Sequence, residues 1–142
     1  ADTLDLGYRS SIIKQTGMVV LEAVFALAPG EAGVCLGEME RLLAQRCEKQ
    51  PVHQYSAGST FKRPPDGYAS ALIDQAGLKG DKIGDAMVSD KHAGFIVNLG
   101  SATARDVLAL MARVKKRVFE QFGILLEPEV KVWGEEIGEA VK

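Results

Sequence analysis

Between Ser101 and Gly123 the chain reads "SATARDVLALMARVKKRVFEQFG", and no other stretch restricts the fold as strongly. Val107, Leu110, Met111, Val114, Val118 and Phe122 recur at helical spacing on one face, while Arg113, Lys115, Lys116 and Arg117 fall on the other. An apolar stripe of this kind must be buried against a second layer, so the helix requires a partner. Both ends are also legible. Thr103 and Asp106 have capping-box spacing, and Gly123 supplies the left-handed residue that stops a helix.

The partner layer should come from the short apolar runs just upstream. Asp85–Ser89 and Gly94–Asn98 read as two strands, and Ile124–Trp133 as a last strand interrupted by Pro128. Tyr68–Ala76 reads as a short helix closed by Gly77. From Ala32 to Lys49, the positions Leu36, Met39, Leu43 and Cys47 follow helical spacing, and Pro51 stops that helix. Pro51–Gly67 reads as a loop holding three of the five prolines. Met18–Leu27, "MVVLEAVFAL", predicts a strand whose alternate residues Val19, Leu21, Ala23, Phe25 and Leu27 face a core. Ala28-Pro29-Gly30 breaks it. Taken together, the pattern is α+β with a small mixed or antiparallel sheet. The first thirty residues fit this plan poorly: residues 2–17 are polar and turn-rich, and the strand after them has no nearby partner. The expectation is that the chain begins inside another domain.

Composition excludes several functions. The chain has 142 residues, enough for one ordinary domain with a sizeable core, and its net charge is −2 from 17 basic and 19 acidic residues. No general affinity for nucleic acid or membrane follows from that balance, so a bound anion must be held by local cations. Cys35 and Cys47 are the two cysteines, without metal-ligand spacing, and no metal is expected. As reduced thiols on a helix they suit a cytoplasmic protein. No apolar run approaches the roughly 18 residues of a membrane span, and no signal peptide is expected.

Within the proline-rich loop stands Ala57–Pro64, "AGSTFKRP". A glycine before a small hydroxyl permits a bend and close approach to a ligand, and Lys62 and Arg63 add positive charge beside it. Gly-Ser by itself is ordinary turn chemistry. What changes its weight is company. Tyr8-Arg9-Ser10-Ser11, "AGSTFKRP", "LIDQAGLKG" at Leu72–Gly80, "KHAGFIVN" at Lys91–Asn98 and "LEPEV" at Leu126–Val130 stand in this order. With them the chain closely resembles the UDP-N-acetylenolpyruvoylglucosamine reductases over essentially its whole length.

The resemblance implies a carboxy-terminal portion: residues 1–31 as the end of an FAD-binding domain and residues 32–142 as the substrate-binding domain. The compact connection from Leu27 to Pro51 resembles the shorter family type, which lacks an extra substrate-closing loop. The implied reaction reduces an enolpyruvyl ether of a UDP-sugar to a lactyl ether, with NADPH as reductant acting through FAD, in peptidoglycan precursor synthesis. Hydride adds to the terminal vinyl carbon, and negative charge develops on the adjacent carbon and its carboxylate. By resemblance Ser59 donates the proton to that carbon, Arg9 grips the carboxylate, and Glu129 assists from the other side. A carboxylate in that position has to be protonated or paired. Tyr8, Lys49, Lys62, Arg63 and His92 are implied substrate contacts, and Arg46 and Gly58 cofactor contacts. His53 belongs to none of these motifs. The partners implied are the UDP-sugar and the remaining FAD-binding half.

Two other classes fit these residues less well. A nucleotide-sugar binding module without redox chemistry would keep the cations and could dispense with Ser59 or Glu129, yet both are present. A serine hydrolase needs Gly-x-Ser-x-Gly on a strand-to-helix turn, and the chain has Ala-Gly-Ser-Thr instead.

Overall fold

The computed structural model describes residues 4–65 and 67–132. Two compact units divide the chain, Ala1–Leu36 and Gly37–Lys142, with the division inside one helix.

In the first unit, α1 (Ile12–Thr16) starts at Ser11, whose Oγ accepts from the Lys14 N–H at 3.3 Å, and ends at Gly17 with φ 70. Ahead of it, Gly7 and Ser10 exchange both backbone hydrogen bonds at 3.0 and 3.2 Å, closing a tight turn over Tyr8 and Arg9. Met18–Leu27 is not a strand. Its residues carry no strand ladder, and Val19, Leu21 and Phe25 are 80%, 94% and 77% exposed. A strand exists through its ladder, and no other strand pairs with this run among the described residues. Local β-preference therefore had nothing to act on.

α2 (Ala32–Lys49) runs as the spacing predicts and carries both free cysteines. Its stripe is uncovered, however: Leu36, Met39 and Leu43 are all exposed among the described residues. The loop expected after it contains a strand, β1 (Tyr55–Ser59). Next come α3 (Ala69–Gln75), β2 (Lys82–Ile83), β3 (Ala86–Val88), β4 (Phe95–Asn98) and α4 (Ala104–Phe122). The sheet order is β1-β4-β3-β2, and every pair is antiparallel, so the mixed alternative falls away. The second unit's fold is α+β.

α4 packs on β2, β3 and α3. Leu110, Met111, Val114 and Val118 on the helix meet Ala86, Val88 and Ile96 on the sheet and Ile73 on α3, all fully or nearly fully buried. On the sheet's other face Met87 pairs with Val97, and both are buried too. The capping box is present in full, and Gly123 closes the helix at φ 69. Lys115, expected on the polar face, is buried. It follows Met111 by one turn and so borders the apolar stripe, where a lysine's aliphatic stem is accommodated. Gly84 in the β2–β3 turn has φ 56, and a Cβ there would stand 2.9 Å from the Asp106 carboxylate, so the turn fits tightly under the helix start.

The last strand contracts to one bridge. Phe61 faces Pro128, and the rest of Ile124–Val132 is irregular. The flanking bonds come from the Glu129 and Lys62 N–H groups, so the bridge asks for no N–H at Pro128 and tolerates the proline. Trp133, the end of that expected strand, lies outside the described residues, as does the remainder of the chain after it.

Candidate functional site

Ser59 sits at the last position of β1, an edge strand, beyond a bulge. Ser56 is opposite Val97 and Ser59 opposite Phe95, so β1 carries one residue more than β4 over that interval. Gly58 takes up the extra residue at φ 84, a conformation in which a side chain would be strained. The glycine of the motif thus has a backbone reason. A Cβ built on it meets no atom within 4 Å, so the space beside it is open.

The residue after the serine fixes the strand. Thr60 is buried, its N–H donates to the Gly94 carbonyl at 2.8 Å, and its Oγ1 accepts from the Ile96 N–H at 3.2 Å. On its other side the Thr60 carbonyl accepts from the Glu129 N–H at 2.9 Å, and the Lys62 N–H donates to the Glu127 carbonyl at 2.8 Å. This short ladder brings "AGSTFKRP" and "LEPEV" together. Glu129 thereby donates to the residue that follows Ser59.

The nearby cations have partners. Lys62 Nζ donates to Glu127 Oε1. Arg63 lies over the Tyr68 ring, 4.2 Å from its centroid, and its Nε donates to the Gly67 carbonyl at 3.1 Å. His92 stands edge-on to Phe95 with ring centroids 5.0 Å apart, and its Nδ1 accepts from the Gly94 N–H at 3.1 Å. Gly94 in turn bonds Thr60, so the His92 loop joins the same hydrogen-bonded group as the serine strand.

Lys91 Nζ donates to the Cys47 carbonyl at 2.9 Å. A cation on the last carbonyls of a helix is favourable, and here it ties the final turn of α2, with Arg46 and Lys49, to the His92 loop. Arg46 Nε donates to Gln50 Oε1 at 3.3 Å. Beside the strand a cleft of about 270 Å³ opens between β1, β4 and α4, walled by Ser56, Thr60, Ile96, Val107, Met111 and Val130. Ser59 is not part of its wall.

Tyr8 and Arg9 belong to the first unit. Arg9 has φ 54, rare for a residue with a side chain, and its guanidinium lies 5.8 Å from the Tyr8 ring centroid. Its carbonyl accepts from Lys14 Nζ at 3.0 Å, which holds the turn against α1. Thr60 and Glu127 were not singled out from sequence, although both lie inside quoted motifs. No local pattern marks Thr60, because the residues of β1 before it are exposed or half-buried.

Fold and grouped side chains define an α+β domain that gathers a hydroxyl, carboxylates and cations along one edge of its sheet. Residues 50–133 match the family model described as UDP-N-acetylenolpyruvoylglucosamine reductase, C-terminal domain. The chain is 52% identical over 131 residues to UDP-N-acetylenolpyruvoylglucosamine reductase 2 of Symbiobacterium thermophilum, covering 92% of this chain and 42% of that protein. It is 51% identical over 135 residues to the reductase of Clostridium novyi, covering 95% and 44%. The crystal structure of UDP-N-acetylenolpyruvylglucosamine reductase from Thermus caldophilus superposes with a TM-score of 0.76 at 39% identity, over 94% of this chain and 47% of that one. This chain belongs to the UDP-N-acetylenolpyruvoylglucosamine reductase family, and it spans less than half the length of these relatives. No helix among the described residues is long and apolar enough to cross a membrane.

Proposed function

We propose that this chain is the substrate-binding and proton-delivering portion of a reductase that converts UDP-N-acetylglucosamine enolpyruvate to UDP-N-acetylmuramate in the cytoplasm, for peptidoglycan synthesis. In that reading residues 1–31 end an FAD-binding domain and residues 32–142 form the substrate domain. FAD, reduced by NADPH, supplies the hydride when bound. Open space beside Gly58 at the strand edge fits the approach of a large planar group, with Arg46 as a further contact, while the remainder of its site lies in another part of the protein.

This chain's own groups handle charge and proton. Ser59 gives its hydroxyl proton to the carbon next to the substrate carboxylate, after hydride has arrived at the neighbouring carbon. Arg9 holds the carboxylate through its planar guanidinium, and Glu129 assists where negative charge accumulates. Tyr8, Lys49, Arg63 and His92 orient the sugar and phosphates, with Lys62 close by. The observation that carries this reading is the bond from the Glu129 N–H to the Thr60 carbonyl at 2.9 Å, which sets Glu129 beside the serine strand.

Ser59→Ala in the full-length protein tests it. Reduction of FAD by NADPH should be nearly unchanged, because no proton to that carbon is involved. Reoxidation of the reduced flavin by substrate should slow by about 10²–10⁴-fold, and Ser59→Cys should recover part of the loss. Rapid-mixing absorbance at the flavin band separates the two steps. Reoxidation of Ser59→Ala at the wild-type rate overturns the assignment.

A further inference from the structure

We infer that Lys62 and Glu127 form a positioning pair that holds Glu129 in register with the Ser59 strand, and that Lys62 acts through Glu127 rather than on a phosphate. The inference deepens the function proposed above and rests on it.

The ladder's geometry carries the argument. Phe61 and Pro128 face each other, flanked by the Glu129-to-Thr60 and Lys62-to-Glu127 backbone bonds at 2.9 and 2.8 Å. Side chains alternate across such a ladder, so Thr60, Lys62, Glu127 and Glu129 share the face opposite to Phe61 and Pro128. On that face Lys62 stands directly across from Glu127, and Thr60 directly across from Glu129. The Lys62 side chain, 28% exposed, is bonded to that of Glu127, 68% exposed, so its ammonium faces this carboxylate across the ladder.

Leu126–Val130 needs this support more than a strand would. Among the described residues the segment joins the sheet through a single bridge. Leu126, 1% exposed, anchors the near end in the core. Glu129 lies on the far side of Pro128 from that anchor. Between them, Glu127 offers a side-chain attachment to the "AGSTFKRP" strand. Loss of the pair would let the Glu129 rung open while the fold stays intact, because the core under α4 does not use either residue.

The test uses the full-length enzyme with Lys62→Met, Glu127→Gln, the double variant, and the exchanged pair Lys62→Glu with Glu127→Lys. Two quantities are read: kcat and KM for the enolpyruvyl UDP-sugar, and amide hydrogen exchange at Glu129. Each single variant should lower kcat about two- to fivefold, leave KM within about twofold, and speed Glu129 exchange by a similar factor. The double variant should be no worse than either single one, and the exchanged pair should recover most of both losses. A raised KM with unchanged kcat in Lys62→Met, together with a silent Glu127→Gln, overturns the inference and makes Lys62 a substrate contact. Additive losses in the double variant also overturn it. If the wild-type enzyme does not turn over this substrate, the proposed function fails, while the exchange measurements still decide the pair.

Discussion

Met18–Leu27 and the β3–β4 ladder share methionine, valine, phenylalanine and alanine in short apolar runs. In the ladder Val88 and Val97 are 0% exposed, whereas Leu21 and Val24 are 94% and 87% exposed. Composition does not separate them. What separates them is supply of a partner: β3 and β4 follow one another closely, and α4 covers Ala86, Val88 and Ile96. β-preference is mostly a measure of fit to a half-buried pleated surface, and among the described residues Met18–Leu27 has no such surface beside it.

Four substitutions sharpen this contrast. The largest effect belongs to the covered region, where Leu110→Ala should cost about 2–5 kcal/mol of stability in urea unfolding followed by circular dichroism. A cost under 1 kcal/mol would show that the layer under α4 is looser than its burial implies.

Intermediate in size is the helix start. Thr103→Ala removes the side-chain half of the capping box and should cost about 1 kcal/mol in the same assay. Here pH matters as well. Thr103 Oγ1 and N–H donate to Asp106 Oδ2 at 2.7 and 2.8 Å, and these bonds hold the Asp106 carboxyl below its ordinary 3.8. A lowered value in the folded state means the stabilisation is fully present above the unfolded value and is lost as pH falls through the folded one. Acid unfolding of Asp106→Asn should therefore show a shallower pH dependence below about pH 4 than the parent. An unchanged acid limb would remove Asp106 from that dependence.

The smallest effect is expected in the uncovered region. Leu21→Ser should change stability of this chain by less than about 0.5 kcal/mol, as exposed substitutions usually do. A loss near that of Leu110→Ala would break the comparison and assign Leu21 a packed neighbour.

Legibility followed the same line. α4 could be read with both caps because its stripe, capping box and terminal glycine agree, and β3, β4 and α3 could be read because their apolar runs end at clear turn residues. β1 could not. Its residues Tyr55, Ser56, Ala57 and Ser59 are all exposed, so no alternation of apolar side chains advertises the strand. β2 is two residues long. At the site, Gly58 and Ser59 were visible as a motif, but the meeting of Thr60 with Glu129 depends on a bridge between distant segments, which no local pattern encodes. The pairing of Lys62 with Glu127 is hidden for the same reason, since the two lie across that same bridge.

The strand order has a kinetic consequence. β2, β3 and β4 can form as successive hairpins, each closing a short loop, whereas β1 reaches β4 only after α3 and both hairpin strands are in place. Closing that longer loop costs more chain entropy before any contact repays it, so the β1–β4 rungs should form late and open first. Ser59 rides on those rungs. Refolding followed by pulsed hydrogen exchange should find the Met87 and Val97 amides protected before that of Thr60, making the serine strand the final piece to be assembled.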